Sequence, residues 1–458
     1  MKPVRIDSAA KARAEVEKRG LDYVKVGVFD IDGILRGKFM HRDKFFSALE
    51  AGFGFCDVVL GWDSDDRLYD NVQFTGWHTG YPDAQVRLLP ETTRNLPFEF
   101  DGQGLLVLGE FIGEAAAVCP RNLLARTLAK AEAMGFAATA AFEYEFFLFD
   151  ETPHSIREKG YRDLRPFTPG MFGYSVIRNS VHAEFYHELL DLMEGLDCEI
   201  EGLHTETGPG VVEAAIRHTR GLAAADRAAL FKTFTKVFAQ RGALMATFMA
   251  KWSNEYPGQS GHLHLSLIDA TSGRNAFHEA GAAHGMSATM KQFVAGQVRY
   301  MPELLSMVCS TINAYRRLVP GMWAPTASNW GVENRTTAIR VVPGGSSAQR
   351  SEYRVAPADA NPYLVQAAAL ASGLRGIEER LELTPAVAGN AYEEASAQTL
   401  PLPTTLHEAA ERLRESRIAR EAFGDAFVDH FVATRLWEDQ QYRRQVSDFD
   451  LARYFEII

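Results

Sequence analysis

The segment FEYEFFLF, residues 142–149, places two glutamates two positions apart inside an otherwise apolar run. Successive side chains of a β-strand point to opposite faces, so Glu143 and Glu145 share one face and the aromatic residues share the other. Two neighbouring carboxylates repel each other unless a cation lies between them. A lone Glu-x-Glu pair usually marks a solvent-facing strand, so the rest of the chain decides whether this pair does more.

Length and composition narrow the possible classes. The 458 residues suffice for two or three domains, and 46% hydrophobic with 23% charged residues is ordinary for a globular protein. Lys and Arg number 48 against 59 Asp and Glu, and the formal net charge of -11 argues against nucleic acid or an anionic membrane as the main partner. Four scattered cysteines favour reduced thiols over a disulfide framework or a zinc site.

The amino terminus and the hydropathy pattern predict a cytoplasmic protein. MKPVRIDSAAKARAEVEKRG is charged and amphipathic, and it lacks the apolar region of a signal peptide. Uninterrupted apolar stretches fall well short of the roughly 18 residues that a membrane span requires. We therefore expect neither secretion nor membrane insertion.

A β-hairpin is predicted near the amino terminus, where YVKVGVFDIDGILRGKFM turns at Asp32-Gly33. Asp-x-Asp-Gly also opens phosphatases in which a residue at the position of Asp30 attacks phosphorus. In those enzymes the strand leads into a helix, whereas LRGKFM continues here as a second strand, so we favour the hairpin. A helix over 41–52 follows, and residues 53–84 are predicted to form a long ordered loop.

The rest of the chain mixes strands with long helices. QVRLLPET and GLLVLGEF are predicted strands, and CPRNLLARTLAKAEAMG is a predicted helix that leads into the Glu-x-Glu strand. Long helical patterns follow, and the carboxyl-terminal part is mostly helical. The pattern predicts an α+β protein with a small β-rich domain over 1–104 and a large domain over 105–458.

Three further segments carry ionisable residues in pairs. They are Glu206 and Glu213 around the turn in ETGPGVVE, His262 and His264 on one strand face of GQSGHLHLSL, and Glu352 and Arg354 in RSEYRVAPADANPY. Each pair alone is weak, because surface carboxylates and hydrogen-bonded core histidines are common. Together with the Glu-x-Glu strand they favour a metal site, and five glutamates with one imidazole suit Mg²⁺ or Mn²⁺ rather than zinc.

A local arginine cluster points to an anionic ligand. In an otherwise acidic chain the cluster comprises Arg316, Arg317, Arg335, Arg340, Arg350 and Arg354. Guanidinium groups bind phosphate and carboxylate bidentately. The residues therefore indicate an ATP-dependent enzyme with divalent metals and a carboxylate substrate, although the chain has no P-loop motif GxxxxGK[ST].

These motifs resemble the glutamine synthetase family over essentially the whole chain. The matching segments are FEYEFF, ETGPGVVE, GHLHLSL, STINAYRRLVPG, NRTTAIR and SEYRVAPADANPYL. The resemblance implies an N-terminal β-grasp domain, a catalytic half-barrel domain with flanking helices, and homo-oligomers of two rings, commonly dodecamers, with active sites between adjacent subunits. It also implies that ATP activates glutamate as γ-glutamyl phosphate, which an amine then attacks.

The resemblance assigns expected roles to individual residues. Glu145, Glu206 and Glu213 match ligands of the metal nearer glutamate, and Glu143, His262 and Glu352 match ligands of the metal on the nucleotide phosphates. Arg317, Arg354 and Gly258 match groups that hold glutamate. Arg335 and Arg340 match the arginines that contact ATP and the transferred phosphoryl group, and Glu201, His264 and Ser266 match further nucleotide contacts.

The sequence departs from ammonia-using members in the flap that closes the site. Those members carry a glutamate that takes a proton from ammonium, whereas GMWAP places Trp323 at that position. An indole accepts no proton, but it packs against an apolar substituent or lies over a cation. If the flap is instead aligned differently, Trp323 merely packs.

A second acid of the ammonium site comes from the N-terminal domain in the family. Its counterpart here is Asp63 in GWDSDD, with Asp57 and Asp65 as alternatives. Alkylamines have a pKa near 10.4, so a base must deprotonate them before attack, whereas an aromatic amine is already neutral. The altered flap resembles the γ-glutamyl-amide branch of the family, and we favour a small apolar or aromatic primary amine.

The predicted function is therefore an ATP-dependent glutamate–amine ligase whose amine is not ammonia. An ammonia-using glutamine synthetase and a non-catalytic ring-forming homologue stay open as alternatives. Bacterial ammonia-assimilating members carry an adenylylated tyrosine in a loop that corresponds to ASAQTLPLP, residues 395–403, which has none. That difference favours a role in amine catabolism.

Overall fold

The structure is a computed structural model that describes residues 2–393 and 399–458. Part of the segment that lacks the regulatory tyrosine, residues 395–398, lies outside the described residues. The strands are β1 Tyr23–Phe29, β2 Leu35–His41, β3 Phe53–Cys56, β4 Asp83–Leu88, β5 Arg94–Leu96, β6 Gly104–Phe111, β7 Phe136–Phe149, β8 Ile200–Thr205, β9 Val211–Ile216, β10 Thr219–Arg220, β11 Met245–Thr247, β12 Gly261–Asp269, β13 Ala327–Ser328, β14 Trp330–Val332, β15 Ile339–Val342, β16 Arg350–Tyr353 and β17 Leu400–Pro401.

The α-helices lie before, between and after these strands along the chain. They are α1 Ala9–Arg19, α2 Arg42–Ala51, α3 Pro120–Ala133, α4 Pro153–Glu158, α5 Val176–Val181, α6 Ala183–Gly195, α7 Leu222–Arg241, α8 Ala288–Val308, α9 Ile312–Tyr315, α10 Pro362–Glu378, α11 Leu406–Glu415, α12 Arg417–Phe423, α13 Asp425–Arg443 and α14 Asp448–Tyr454. In the described parts of the chain, every helix is too short or too polar to cross a membrane.

The predicted hairpin is confirmed at the start of the first sheet. β1 and β2 pair antiparallel and meet at Phe29 and Leu35. The carboxylate of Asp30 accepts the backbone N–H groups of Asp32 (3.0 Å) and Ile34 (2.8 Å), so it stabilises the turn. A carboxylate that accepts these two backbone N–H groups has the role of a turn-stabilising residue, not that of an aspartyl nucleophile.

The expectation of a loop throughout residues 53–84 is wrong at its start. Phe53–Cys56 forms strand β3, which pairs antiparallel with β4, and Asp57–Leu60 adds a turn of 3₁₀ helix. The Gly and Asp residues of this segment favour a loop locally. Burial of Phe53 and the contact of Phe55 with Phe111 outweigh that preference, since tertiary packing decides short strands.

The first sheet has the strand order β2-β1-β6-β4-β3, with β5 paired to β6. The boundary expected between residues 104 and 105 falls at the start of β6. Because β6 pairs with β1, β4 and β5, we propose that the N-terminal domain ends after this strand rather than before it.

The second sheet has nine strands and forms the curled half-barrel of the predicted α+β fold. Its order is β14-β15-β16-β12-β7-β9-β8, and β10 and β11 also pair with β7. On its apolar face, Tyr144 stacks on Phe142 and Phe231 with ring centroids 5.7 and 6.1 Å apart. The aromatic residues of the opening segment therefore fill the core, and this leaves its glutamates on the opposite face.

The N-terminal domain is held against helix α13 by buried polar contacts. His430 donates from Nε2 to the carbonyl oxygen of Leu60 (2.8 Å), and Arg435 forms an ion pair with Asp32 (2.9 Å). Burial, with the nearby charge of Arg435, lowers the pKa of His430 from 6.5 to about 4. The neutral imidazole is therefore the form that fits this contact.

Acidification should destabilise this contact. Between pH 6.5 and about 4 the folded state binds fewer protons at His430 than the unfolded chain does, so stability falls as the pH falls, by up to about 3 kcal/mol. Between pH 7 and pH 5 we expect the melting temperature of His430→Gln to fall less than that of the wild type. The glutamine amide keeps a hydrogen-bond donor and does not titrate. Exposed His154→Gln is the control. An equal loss in all three proteins would contradict the prediction.

Candidate active site

Strand register gathers the predicted metal ligands on the concave face of the half-barrel. Glu143 and Glu145 lie on β7, where Glu143 faces His262 on β12 and Glu145 faces Glu213 on β9. Glu143 and Glu145 are two positions apart, and register partners on neighbouring strands point to the same side of a sheet, so the four side chains share one face. We call this surface the carboxylate face.

A neighbouring row on the same face carries the nucleotide candidates. Glu352 on β16 is the register partner both of His264 on β12 and of Arg340 on β15. Arg340 donates to Glu352 (2.9 Å) and, through Nε, to Glu333 (3.0 Å). These two carboxylates hold the guanidinium group in place above the sheet.

The first ligand cluster contains Glu206, Glu213 and His204. The His204 ring nitrogens lie 3.8 Å from a carboxylate oxygen of Glu206 and 3.7 Å from one of Glu213. Burial, with repulsion from Glu143 and Glu145, raises the pKa of Glu213 to about 11. Burial also raises the pKa of Glu145 to about 7. The chain thus brings acidic groups together without enough positive charge to neutralise them.

The second cluster contains Glu143, His262 and Glu352. Nδ1 of His262 lies 3.6 Å from Glu143 and 3.3 Å from Glu352. Burial opposes ionisation of Glu352, but Arg354 and His262 outweigh it and lower its pKa to about 2. Burial and Arg354 lower the pKa of His262 to about 4. The carboxylates are therefore charged and the imidazole neutral, as metal coordination requires.

One orphaned atom tests whether these residues fit a metal. Nε2 of His262 is buried and has no hydrogen-bond partner in the part of the chain that the structure describes. A buried polar atom without a partner is costly. The other ring nitrogen, Nδ1, lies beside the carboxylate oxygens of Glu143 and Glu352. A neutral imidazole with carboxylate oxygens is a donor set for Mg²⁺ or Mn²⁺, so the six expected ligands fit divalent cations.

A cavity of about 910 Å³ opens above the carboxylate face. Its lining includes the expected nucleotide contacts Glu201, His264, Ser266, Arg335 and Arg340, together with Glu143 and Glu213. The volume is ample for a nucleotide. In the described residues Arg335 is exposed and pairs with no carboxylate, whereas Glu201 is exposed and lies 3.6 Å from Arg217.

The expected glutamate-binding groups lie side by side. Arg317 is 1% exposed and donates to Ser260 (2.9 Å) and to the carbonyl oxygens of Val355 (3.0 Å) and Arg354 (3.2 Å). Gly258 adjoins it closely: an added Cβ would lie 2.8 Å from Cγ of Arg317 and 2.4 Å from a backbone oxygen. Nε of Arg354 is buried and unpartnered among the described residues.

The structure does not bring the two amine-site candidates together. Trp323 is 55% exposed, with a left-handed φ of 61°. Asp63 lies on an N-terminal loop, where Oδ1 accepts the N–H groups of Asp65 (2.8 Å) and Arg67 (2.9 Å). Asp63 and Trp323 are both outside the lining of the 910 Å³ cavity.

Two alternatives to Asp63 differ in availability. Asp57 is buried and accepts a hydrogen bond from Thr75 (2.7 Å), and burial raises its pKa. Asp65 is exposed and lies 3.3 Å from Arg67. Asp57 is thus buried within the N-terminal domain, whereas Asp63 is half-buried and Asp65 is exposed.

Sequence reasoning missed three residues of the site. His204 faces Glu213 across β8 and β9, Tyr174 stacks on His204 with centroids 4.4 Å apart, and Arg350 donates to Nδ1 of His264 (3.1 Å). His204 precedes Glu206 by two positions, so strand alternation was a usable signal. Tyr174 lies in a loop without any periodic pattern, and Arg350 was noted only as part of the arginine cluster.

Comparisons with known proteins agree with this geometry. The family model for the glutamine synthetase catalytic domain matches residues 117–454. Type-1 glutamine synthetase 2 of Dictyostelium discoideum is 46% identical over 95% of this chain and 84% of its own length. The glutamate–isopropylamine ligase of a Pseudomonas species is 36% identical over 98% of both chains.

A solved structure extends the agreement to three dimensions. GmaS in complex with ADP superposes with a TM-score of 0.84 at 25% sequence identity, covering 97% of this chain and 99% of that one. The half-barrel, the carboxylate face, the family match and these relatives lead to one conclusion. The chain belongs to the glutamine synthetase family, and it is accordingly an ATP-dependent ligase.

Proposed function

We propose that this ligase joins the γ-carboxylate of L-glutamate to a small apolar or aromatic primary amine instead of ammonia. The observation that supports the proposal is the exposure of Trp323, the residue that we assign to the flap, which leaves 55% of its surface accessible. More than half of the indole is therefore free to contact a ligand. At a flap that closes over the reacting groups, it would offer an apolar contact for the substituent of an amine.

The chain's own residues would divide the reaction as follows. Arg317, Arg354 and the close approach at Gly258 hold and orient glutamate, the unpartnered Nε of Arg354 being free to donate to a carboxylate. Arg335 and Arg340 contact the phosphates of ATP and stabilise the phosphoryl group as it passes to the γ-carboxylate of glutamate. The amine nitrogen then attacks the γ-carbonyl carbon, and phosphate leaves.

The two sets of expected metal ligands would hold two divalent cations, Mg²⁺ or Mn²⁺. Glu145, Glu206 and Glu213 would bind one, and Glu143, His262 and Glu352 the other. When bound, such ions supply positive charge that neutralises phosphate oxygens and polarises the group under attack. The raised pKa of Glu213 supports this assignment, because a cation at this face would stabilise the ionised form of the carboxylate.

Deprotonation of the amine is assigned to Asp63. Its carboxylate lies away from the cavity of its own chain, so we propose that it serves the active site of an adjacent subunit. A cytoplasmic homo-oligomeric ring, a dodecamer of two hexamers, would supply that neighbour. In its own chain Asp63 already has a fixed orientation from two backbone N–H groups.

Ammonia-dependent glutamine synthesis is the second candidate. It is favoured by the 46% identity to a relative that is named a glutamine synthetase. A flap without a carboxylate argues against efficient capture of ammonium, since that step uses a base and a negative charge. The isopropylamine ligase at 36% identity supports the first candidate.

An amine panel separates the two candidates. We expect phosphate release from ATP, with Mg²⁺ and glutamate, to show a kcat/KM for isopropylamine, aniline or another small organic amine at least about tenfold above that for ammonia, equivalent to roughly 1.4 kcal/mol of discrimination. Methylamine, ethanolamine and putrescine complete the panel. Best activity with ammonia would restore glutamine synthesis, and omission of glutamate is the control for simple ATP hydrolysis.

A further inference from the structure

A second cavity, of about 660 Å³, lies outside the carboxylate face. It is an open cavity bordered by the N-terminal loop at Ser64, by residues 249–254, by the start of helix α9 and by helix α13. The function proposed above uses none of its lining side chains. Its size is within the range of small-molecule sites.

The cavity has an anionic side with an unsatisfied carboxylate. Oδ2 of Asp359 accepts a hydrogen bond from Thr311 (2.8 Å), but its Oδ1 is buried and has no partner among the described residues. Glu438 is better satisfied, since it accepts the N–H of Ile312 (3.1 Å) and lies 3.4 Å from Arg435. Asp359 is therefore the group with free acceptor capacity.

The cavity also has a cationic side. Lys251 is 6% exposed, and its Nζ donates to the carbonyl oxygen of Tyr256 (2.5 Å). Arg316 donates to the hydroxyl of Tyr442 (2.8 Å) and lies over that ring. In residues 2–393 and 399–458, neither cation forms an ion pair with a carboxylate. Two positive groups thus share a cavity with an acid that has an unused oxygen.

The remaining lining is mixed, with polar residues at Ser64, Ser253, Asn254, Thr311 and Asn313 beside an apolar and aromatic part. Met249, Trp252, Ile312 and Tyr442 contribute to it. Nε1 of Trp252 is a further buried donor without a partner in the described parts of the chain. A mixed lining with an apolar patch and charged groups of both signs suits a small ligand that carries both charges.

We propose that this second cavity binds a free α-amino acid with an apolar or aromatic side chain. Its carboxylate would bind Arg316 and Lys251, its ammonium group would donate to Oδ1 of Asp359, and its side chain would contact Trp252 and Met249. A simple anion or cation would satisfy only one side. A zwitterion satisfies both, and charge-assisted hydrogen bonds are the stronger kind.

Occupancy of the cavity should affect glutamate binding. This expectation rests on the proposed function, in which glutamate is the substrate. Three walls continue into the expected glutamate site: residues 249–254 lead to Gly258, Arg316 precedes Arg317, and Asp359 follows Arg354 on the same segment. A ligand that fixes these walls reduces the ordering that glutamate binding still requires. We therefore expect a bound amino acid to lower the KM for glutamate.

Calorimetric titration of the full chain with L-phenylalanine tests the proposal. With glutamate, ADP and Mg²⁺ at saturation, we expect one phenylalanine to bind per chain. Asp359→Asn and Arg316→Met should each weaken this binding by about tenfold or more. Arg417→Met, at an exposed arginine that forms an ion pair with Glu421, should leave it unchanged. Phenethylamine and 3-phenylpropionate, which each lack one charge, should bind at least about tenfold more weakly.

Several outcomes would overturn the proposal. They are absence of binding at millimolar phenylalanine, displacement of phenylalanine by glutamate, and equal binding by the two variants or by the two singly charged analogues. If phenylalanine binds as expected but the KM for glutamate stays constant, the coupling alone is wrong. The titration contains no amine substrate, so its result does not depend on which amine the enzyme prefers.

Discussion

Glu213→Gln should lower kcat by about 10³ and should also make the metal-free protein more heat-stable. The loss of activity follows from removing one carboxylate of the first ligand cluster, where metal charge is worth several kcal/mol to the transferred group. The gain in stability follows from burial beside Glu143 and Glu145, which raises the pKa of Glu213 to about 11. At neutral pH the unfolded chain carries this glutamate ionised and folding must protonate it, a cost that an amide of the same shape does not incur.

The two effects are measured separately. Melting temperatures in chelator should rank the variant above the wild type, whereas added Mg²⁺ or Mn²⁺ should stabilise the wild type more, because a ligand that binds the folded state shifts stability by mass action. Glu199→Gln, at an exposed glutamate paired with Arg217, is the matched control and should change neither quantity. A variant that is inactive and less stable in chelator would mean that Glu213 acts structurally.

Strand periodicity explains why most of the site could be predicted. The expected metal ligands on strands β7, β9, β12 and β16 follow patterns of period two, so their shared face could be deduced before any pairing was known. The register itself could not. That Glu145 faces Glu213, or that Arg340 faces Glu352, depends on which strands are neighbours in the sheet. Those neighbours come from distant parts of the chain.

Long-range packing accounts for what the sequence did not disclose. Strand β3 forms because Phe53 is buried on the first sheet, against the preference of its Gly-rich surroundings. Tyr174 reaches His204 from an irregular loop. The lining of the second cavity includes Ser64, Lys251, Asp359 and Glu438, which lie far apart in the sequence. No local pattern relates such residues.

Trp323→Glu should raise the ratio of kcat/KM for ammonia to that for the best organic amine by about 10². A carboxylate at this position attracts ammonium and accepts its proton, and general-base assistance is typically worth 10²–10⁴ in rate. It also removes the indole surface that would hold an apolar substituent. Backbone strain should not differ, since both side chains carry a Cβ at the same φ of 61°.

Two further variants make the flap experiment specific. Trp323→Phe keeps an apolar surface and should retain the preference for the organic amine, whereas Trp77→Glu changes an 80% exposed tryptophan of the N-terminal domain and should alter nothing. If Trp323→Glu and Trp323→Phe shift selectivity equally, loss of the indole alone would be responsible. Unchanged selectivity in Trp323→Glu would place the flap elsewhere in the chain, and Asp63 would then be the next residue to test.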